Sequence, residues 1–494
     1  MRRGVPTLPV PTPQPYVHGS CLARACLPPL VGRPSCSCLV QVCGKQCFVV
    51  VNVVVVAVNL CLGLVVNLTA FSTRGNTSPP FTSNLLHRDN LTLMEVEGVV
   101  PAALGLSDAS GNFTSHAFVW AAREWVNVTG GADVCLATHS SADQLHWVAQ
   151  HTLRWSGPLS VAVFVSGREY AVAASMVEYL RRCVDGVEQR VSFHLVHPLS
   201  RPPKPSTASP PFVSCGAPQE ANKQLVAALG QDETPHPRYP QNLMRNLARR
   251  ACHTPYSLNV DIDMLTSPHM SPRLSRFLHG RPVCGRCAYV VPVYEVHSAV
   301  TSPPADKMDL LRLLLRGRVR RFHEKVYEKN QGNTHLENWE VERPGYLPPP
   351  VAYEVLYNIS SYEEFWEPVL VLPRGAPAFD ERFVGYGFTR SSQVYELHVR
   401  GFRFFVLDEA FLTHSGFQTT ATYAPSRYAQ IEINRIRYQM FKKELHARLG
   451  LPPPPPLSPP APRRTSRGLR LSISGRRPRY VLRGLPDLLV NKGI

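Results

Sequence analysis

The sequence predicts an α/β domain, a parallel sheet covered by helices, set between two basic tails. Two observations carry this. From residue 133 onward, short apolar runs alternate with helix-patterned segments, which is the signature of βαβ units. The charge is also unevenly placed: of the net +17, residues 1–46 carry +5 and residues 451–494 carry +8, leaving +4 for the 404 residues between. The folded middle is therefore almost neutral, and a basic nucleic-acid-binding face is not expected. Apolar residues make up 44% of the chain, enough for a substantial core.

The elements follow in order. VCLATHS (134–140) reads as a strand ending in polar residues, and 142–155 has helical spacing. LSVAVFVSG (159–167) is a buried strand, 175–184 a helix, and RVSFHLVHP (190–198) another strand. Residues 199–218 are rich in Pro and Ser and read as a loop. YPQNLMRNLARRAC (239–252) reads as a helix, with Pro240 suited to its first turn. YSLNVDID (256–263) is a strand ending in acids, CAYVVPVYEV (287–296) a further strand, and 305–322 an amphipathic helix. The run LPPPPPLSPPAP opens a Pro- and Arg-rich tail over 450–494 whose composition cannot bury a core.

Before the domain, Cys47 to Val66 form an uncharged apolar run of about 20 residues, the length that spans a bilayer core. Five basic residues and no acid precede it, so the positive-inside rule leaves 1–46 cytosolic and everything beyond in the lumen. This reading divides the chain into a cytosolic segment (1–46), a signal-anchor (47–66), a stem with the first elements (67–132), a folded domain (133–449) and a tail (450–494). Glycosylation acceptors at Asn76, Asn90, Asn112, Asn127 and Asn358 all follow the anchor, while Asn67 lies too near the bilayer. Six cysteines also lie beyond the anchor, enough for three disulfides of open connectivity. Cys284 and Cys287 read as a structural pair rather than a redox or zinc centre, because no second CxxC accompanies them.

Asp261-Ile262-Asp263 closes a strand of the sheet. On a pleated strand, residues i and i+2 point to one side, so both carboxylates can reach one hard divalent cation. The carboxyl ends of parallel strands are where α/β folds bind ligands. A solvated pair of turn aspartates is the bland alternative.

The segments ATHSSADQLHWVAQHTLRWSGPLSVAVF, YPQNLMRNLARRACHTPYSLNVDIDMLTS, YVVPVYEV and FWEPVLVLPRGAPAFDERFVGYGFTRSSQVYELHVRGFRFFVLDEAFLTHSGF resemble glycosyltransferase family 49 across about 133–449. The resemblance implies a GT-A fold, a Golgi glucuronyltransferase activity with inversion, Mn2+ as cofactor, UDP-glucuronic acid as donor and a xylose-ended O-mannosyl glycan as acceptor. It also implies Asp261, Asp263 and His414 (of FLTHSGF) as metal ligands. Inversion needs a general base for the acceptor hydroxyl. The acids in matched motifs are Asp380 and Glu381 of AFDERF, then Glu367 of FWEP, with Asp380 favoured and a salt bridge to Arg382 as its alternative. Arg245 and Asn246 are expected at the donor, together with Asp261, or else on a helix face packed against the sheet. A catalytically silent Golgi protein that binds glycans or holds partner transferases is the other functional reading, and the complete metal set speaks against it.

Overall fold

The computed structural model describes residues 105–204, 211, 213–229, 237–279, 283–341, 351–420 and 425–457, all within one compact unit, Ser83–Ile494. The apolar run 47–66, the sequons at Asn76 and Asn90 and most of the tail lie outside the described residues. Among the described residues no helix is long and apolar enough to cross a membrane.

Strands in the first half are β1 (Leu106–Ser107), β2 (Phe113–Trp120), β3 (Val134–Ser141), β4 (Leu159–Phe164), β5 (Val191–Pro198), β6 (Tyr256–Asn259) and β7 (Met264–Thr266). Those in the second half are β8 (Cys287–Val291), β9 (Val293–Val296), β10 (Val319–Arg321), β11 (Val355–Ile359), β12 (Val369–Pro373), β13 (Arg403–Leu407) and β14 (Leu412–Ser415). Ten of them make one mixed α/β sheet in the order β1-β2-β5-β4-β3-β6-β12-β8-β13-β11. Within it β5, β4, β3 and β6 run parallel, and β12 is antiparallel to both its neighbours. A second, four-stranded sheet has the order β10-β9-β14-β7.

The parallel strands are apolar throughout because both faces are covered. On β3, Val134 and Leu136 enter one cluster with Met176, Val177 and Leu180 of the helix Glu169–Cys183. Cys135 and Ala137, one residue out of phase, enter the opposite cluster with Leu243, Met244, Leu247 and Ala248 of the helix Gln241–Ala251. The period of two along the strand thus builds two half-cores at once. A disulfide from Cys135 to Cys252, 117 residues apart, ties the end of that second helix to β3. Closing a loop of that size restricts the unfolded chain by about 4–5 kcal/mol. Cys183–Cys215 and Cys284–Cys287 complete three disulfides, so the two CxxC cysteines are paired with each other.

Four elements differ here from their sequence reading, and a fifth, the strand expected over 256–263, ends at Asn259. The helix expected at 175–184 begins at Glu169. The strand expected over 287–296 is two strands, split at Pro292: β8 belongs to the large sheet and β9 to the small one. Proline has no N–H for a central ladder, so the chain changes sheets there. The helix expected over 305–322 stops at Leu315, and β10 follows Gly317, whose φ of +66° suits glycine. The tail does not begin free. Leu451 donates to the His446 carbonyl at 2.9 Å and Lys442 to the Pro455 carbonyl at 3.2 Å. Leu457 packs on the cluster of Phe383, Tyr395, Tyr438, Phe441 and Leu445.

Candidate active site

The large and small sheets are joined by chain that passes directly from one to the other: β6 into β7, β8 into β9, and β13 into β14. The first of these passages carries Asp261 and Asp263. Both have left the strand, since β6 ends at Asn259. A turn closed by Met264 N–H on the Asp261 carbonyl, at 3.0 Å, follows. The expectation of two carboxylates on one face of a pleated strand is corrected accordingly: in a turn the alternation of side chains no longer holds, and the two aspartates take different partners. His151, fully buried, hydrogen-bonds the Ile262 carbonyl at 2.8 Å and pins the turn from below.

Asp261 sits in a cage of cations. Its Oδ1 accepts from Arg245 at 2.9 Å and Arg390 at 3.0 Å, and the His139 Nε2 lies at 3.3 Å. Burial alone would raise this carboxyl, but the two guanidiniums hold it well below the usual carboxylate range. Its side chain is 30% exposed, and Oδ2 accepts no hydrogen bond from the described residues. One oxygen is therefore fixed and the other is offered to the cavity. His139 itself is oriented by Tyr239, whose hydroxyl is 2.9 Å from Nδ1.

Asp263 meets His414, Oδ2 to Nε2 at 3.2 Å. Strand pairing explains this long-range encounter: His414 lies in β14 opposite Met264 of β7 and Glu295 of β9. His414 Nδ1 lies 3.3 Å from the Gly416 carbonyl, and its Nε2 also lies 3.0 Å from the Gln418 amide nitrogen. Two electron-rich atoms this close are held by a shared proton or cation. Burial lowers the imidazole, yet the Asp263 hydrogen bond outweighs it and the His414 pKa is raised. The pair fits a divalent cation by the same chemistry, carboxylate oxygen and imidazole nitrogen being ordinary Mn2+ ligands. Among the described residues no three His, Cys, Asp or Glu side chains converge on one point. The expected triad is thus drawn together only as Asp263 and His414, with Asp261 in its own cage.

Glu295 supports this corner. It is fully buried and accepts from Arg320 at 2.6 Å, the His323 N–H at 2.9 Å and the Gln418 N–H at 3.0 Å. These contacts hold the chain leaving β14 and thus Gln418 against His414.

Asp261 and Asp263 line a cavity of about 470 Å³ with His139, Ser140, Tyr239 and Arg238. It opens at the carboxyl ends of β3 and β6, as expected of a ligand site in a parallel sheet. A larger cleft of about 800 Å³ lies elsewhere, walled by Asp380, Arg382, Glu396 and Glu444, which are already paired with one another or with Arg400 and Arg448.

The remaining residues singled out on sequence take other places. Arg245 and Asn246 are each only 3% exposed. Arg245 holds Asp261, and Asn246 clips the loop 379–381 through the Phe379 carbonyl and N–H and Glu381 Oε1. Both are on the buried helix face and bind their neighbours, as the packing alternative of the sequence reading has it. Asp380 is engaged on both oxygens by Arg382, the shortest contact being 2.6 Å, which realises the salt-bridge alternative. Glu381 accepts from Asn246 at 2.8 Å and Arg250 at 3.3 Å. Asn112, Asn127 and Asn358 are exposed. Sequence reasoning missed His139, His151, Arg390, Glu295 and Gln418. Only His139 left a signal, as a polar residue at the carboxyl end of a parallel strand. Arg390 becomes visible only when its helix docks beside β6.

Residues 133–450 match the family model described as glycosyl-transferase for dystroglycan. The chain is 35% identical over 367 residues to beta-1,4-glucuronyltransferase 1 of Homo sapiens, covering 70% of this chain and 82% of that protein. It is 26% identical over 292 residues to the xylosyl- and glucuronyltransferase LARGE1 of Homo sapiens, covering 59% of this chain and 32% of that protein. Among solved structures, GalNAc-T7 with UDP, GalNAc and Mn2+ aligns with a TM-score of 0.31 at 8% identity, over 66% of this chain and 52% of that one.

Proposed function

The chain belongs to the family of glycosyl-transferases for dystroglycan and is a glycosyltransferase, and from that premise we propose that it moves glucuronic acid from UDP-glucuronic acid to a xylose-ended glycan, with inversion, on a GT-A-type domain. Its relatives support glucuronyl transfer as the activity. The observation that carries the site is the split of the two aspartates at the floor of one cavity: Asp261 fixed by Arg245, Arg390 and His139, and Asp263 facing His414.

In this reading the donor enters the cavity at the ends of β3 and β6. Asp261 presents its free Oδ2 to the donor from a rigid mount, and the cage prevents the carboxylate from rotating or taking a proton. Asp263 and His414 would hold Mn2+, which neutralises charge on a departing diphosphate. Arg238, at the cavity wall, supplies positive charge toward an anionic donor. We place the protein in the Golgi membrane as a single-pass type II chain anchored by 47–66, with the domain in the lumen.

Calorimetry tests the donor site. UDP-glucuronic acid should bind the wild type with Mn2+ present and bind at least tenfold more weakly to Asp263→Asn. Equal affinity for both proteins would remove Asp263 from the site.

A further inference from the structure

We propose that a cavity at the far end of β6 from Asp261 and Asp263 is an oxyanion site, taking a phosphate or sulfate group either as the free ion or as the ester of a single sugar.

The fold builds this cavity from three pieces. Ser257 lies at the start of β6, whose other end leads to Asp261. It pairs with Cys135 of β3 on one side and with Leu372 of β12 on the other. Because β12 runs antiparallel to β6, Arg374, just past its last residue, comes to the same end of the sheet. Arg249 and Arg250, in the last turn of the helix Gln241–Ala251, complete the wall with Cys252, whose disulfide to Cys135 ties the helix end to β3. The cavity measures about 280 Å³. Pockets for drug-sized ligands begin near ~300 Å³, so this one suits a small ion or one sugar rather than a nucleotide.

Three arginines line it and no acid does. Arg249 is buried and donates to the carbonyls of Pro373, Arg374, Ala376 and Pro377. It thereby clamps the loop after β12, yet among the described residues no carboxylate pairs with its charge. Burial accordingly pushes its pKa down to about 10. Arg250 meets Glu381 at 3.3 Å, and its side chain is 59% exposed. Arg374 is exposed, and its side chain makes no hydrogen bond or ion pair among the described residues. Its guanidinium is therefore at liberty to meet a ligand.

Ser257 supplies the second, independent observation. It is 4% exposed on the cavity wall, and its hydroxyl has no hydrogen-bond partner among the described residues. A buried hydroxyl left unmet costs stability, so such groups ordinarily mark a place where something binds. A phosphate or sulfate oxygen would accept from it while its other oxygens accepted from the forked donors of Arg374 and Arg250. The helix end opposes an anion, since its last carbonyls carry about half a negative charge. Two arginines in that turn exceed this, and Arg374 adds a third.

The full-length protein, without Mn2+, is titrated by calorimetry with inorganic phosphate, inorganic sulfate and glucose 6-phosphate at constant ionic strength. At least one should bind saturably below about 10 mM and raise the melting temperature. Tighter binding of glucose 6-phosphate assigns the site to an ester, and tighter binding of an inorganic ion assigns it to the free anion. Arg374→Ala and Ser257→Ala should each weaken that binding by about tenfold or more, the scale of a hydrogen bond to a charged group. Without added anion both variants should melt with the wild type, because neither side chain bonds a neighbour. Arg374→Lys should keep more of the affinity than Arg374→Ala, since it retains the charge and loses the fork. Absence of saturable binding of all three probes overturns the proposal. So does binding that persists unchanged in both alanine variants, whether it resides on the basic tails or is lost in Arg238→Ala at the other cavity.

Discussion

Asp261 and Asp263 are two residues apart and do different work, which can be separated by stability. Asp261→Asn strands Arg245 and Arg390 with weakened partners in a buried cage, and should destabilise the fold by about 2–4 kcal/mol. Asp263 is 44% exposed and among the described residues is hydrogen-bonded to His414 alone, so Asp263→Asn should change stability by no more than about 0.5 kcal/mol. Both should lower transfer by about 100-fold or more. Chemical denaturation read beside activity checks this, and equal stability losses would contradict the cage. Glu367 gives a pH test of its own. Its folded pKa is raised above the ordinary 4.5. Between those two values the folded state keeps a proton that the unfolded state has released, so stability falls as pH rises through the window. Glu367→Gln removes that term. Its melting temperature relative to wild type should climb from pH 4.5 upward and level off, whereas a difference flat in pH would contradict the burial of this carboxyl.

At the level of elements, the tail yields a prediction opposite to the one its composition suggests. Truncation after Gly450 removes Leu457 from its aromatic cluster and two carbonyls from Lys442 and His446, and should cost about 1–2 kcal/mol. Truncation after Leu457 should leave the melting temperature unchanged. Equal melting of both truncations would show that the strap contributes nothing. The strap was hidden in the sequence because prolines carry no helical or strand period, and its anchor is a single leucine. The parallel strands β3 to β6 were legible, since burial on both faces leaves continuous apolar runs that no solvated element tolerates. The break at Pro292 was present in the letters but masked by valines on both sides. Asp261, Asp263 and His414 were legible as motif residues. Their partners were not: Arg390 and Glu295 are charged residues without local pattern, and their roles exist only once two sheets meet.

For the whole molecule, a nearly neutral folded middle between basic tails means that attraction for an anionic donor must come from local arrangement. The structure offers it where the two sheets join, with Arg238 on the wall of the cavity that Asp261 and Asp263 line and a carboxylate–imidazole pair suited to a cation. EDTA should accordingly abolish transfer and Mn2+ restore it. The most direct test incubates the protein with a panel of UDP-sugars, Mn2+ and a xyloside, and follows both UDP release and glycosylated product. Product from UDP-glucuronic acid, lost in Asp263→Asn and in His414→Ala, is the predicted result. Transfer of a different sugar, or glucuronyl transfer indifferent to both substitutions, would contradict the account.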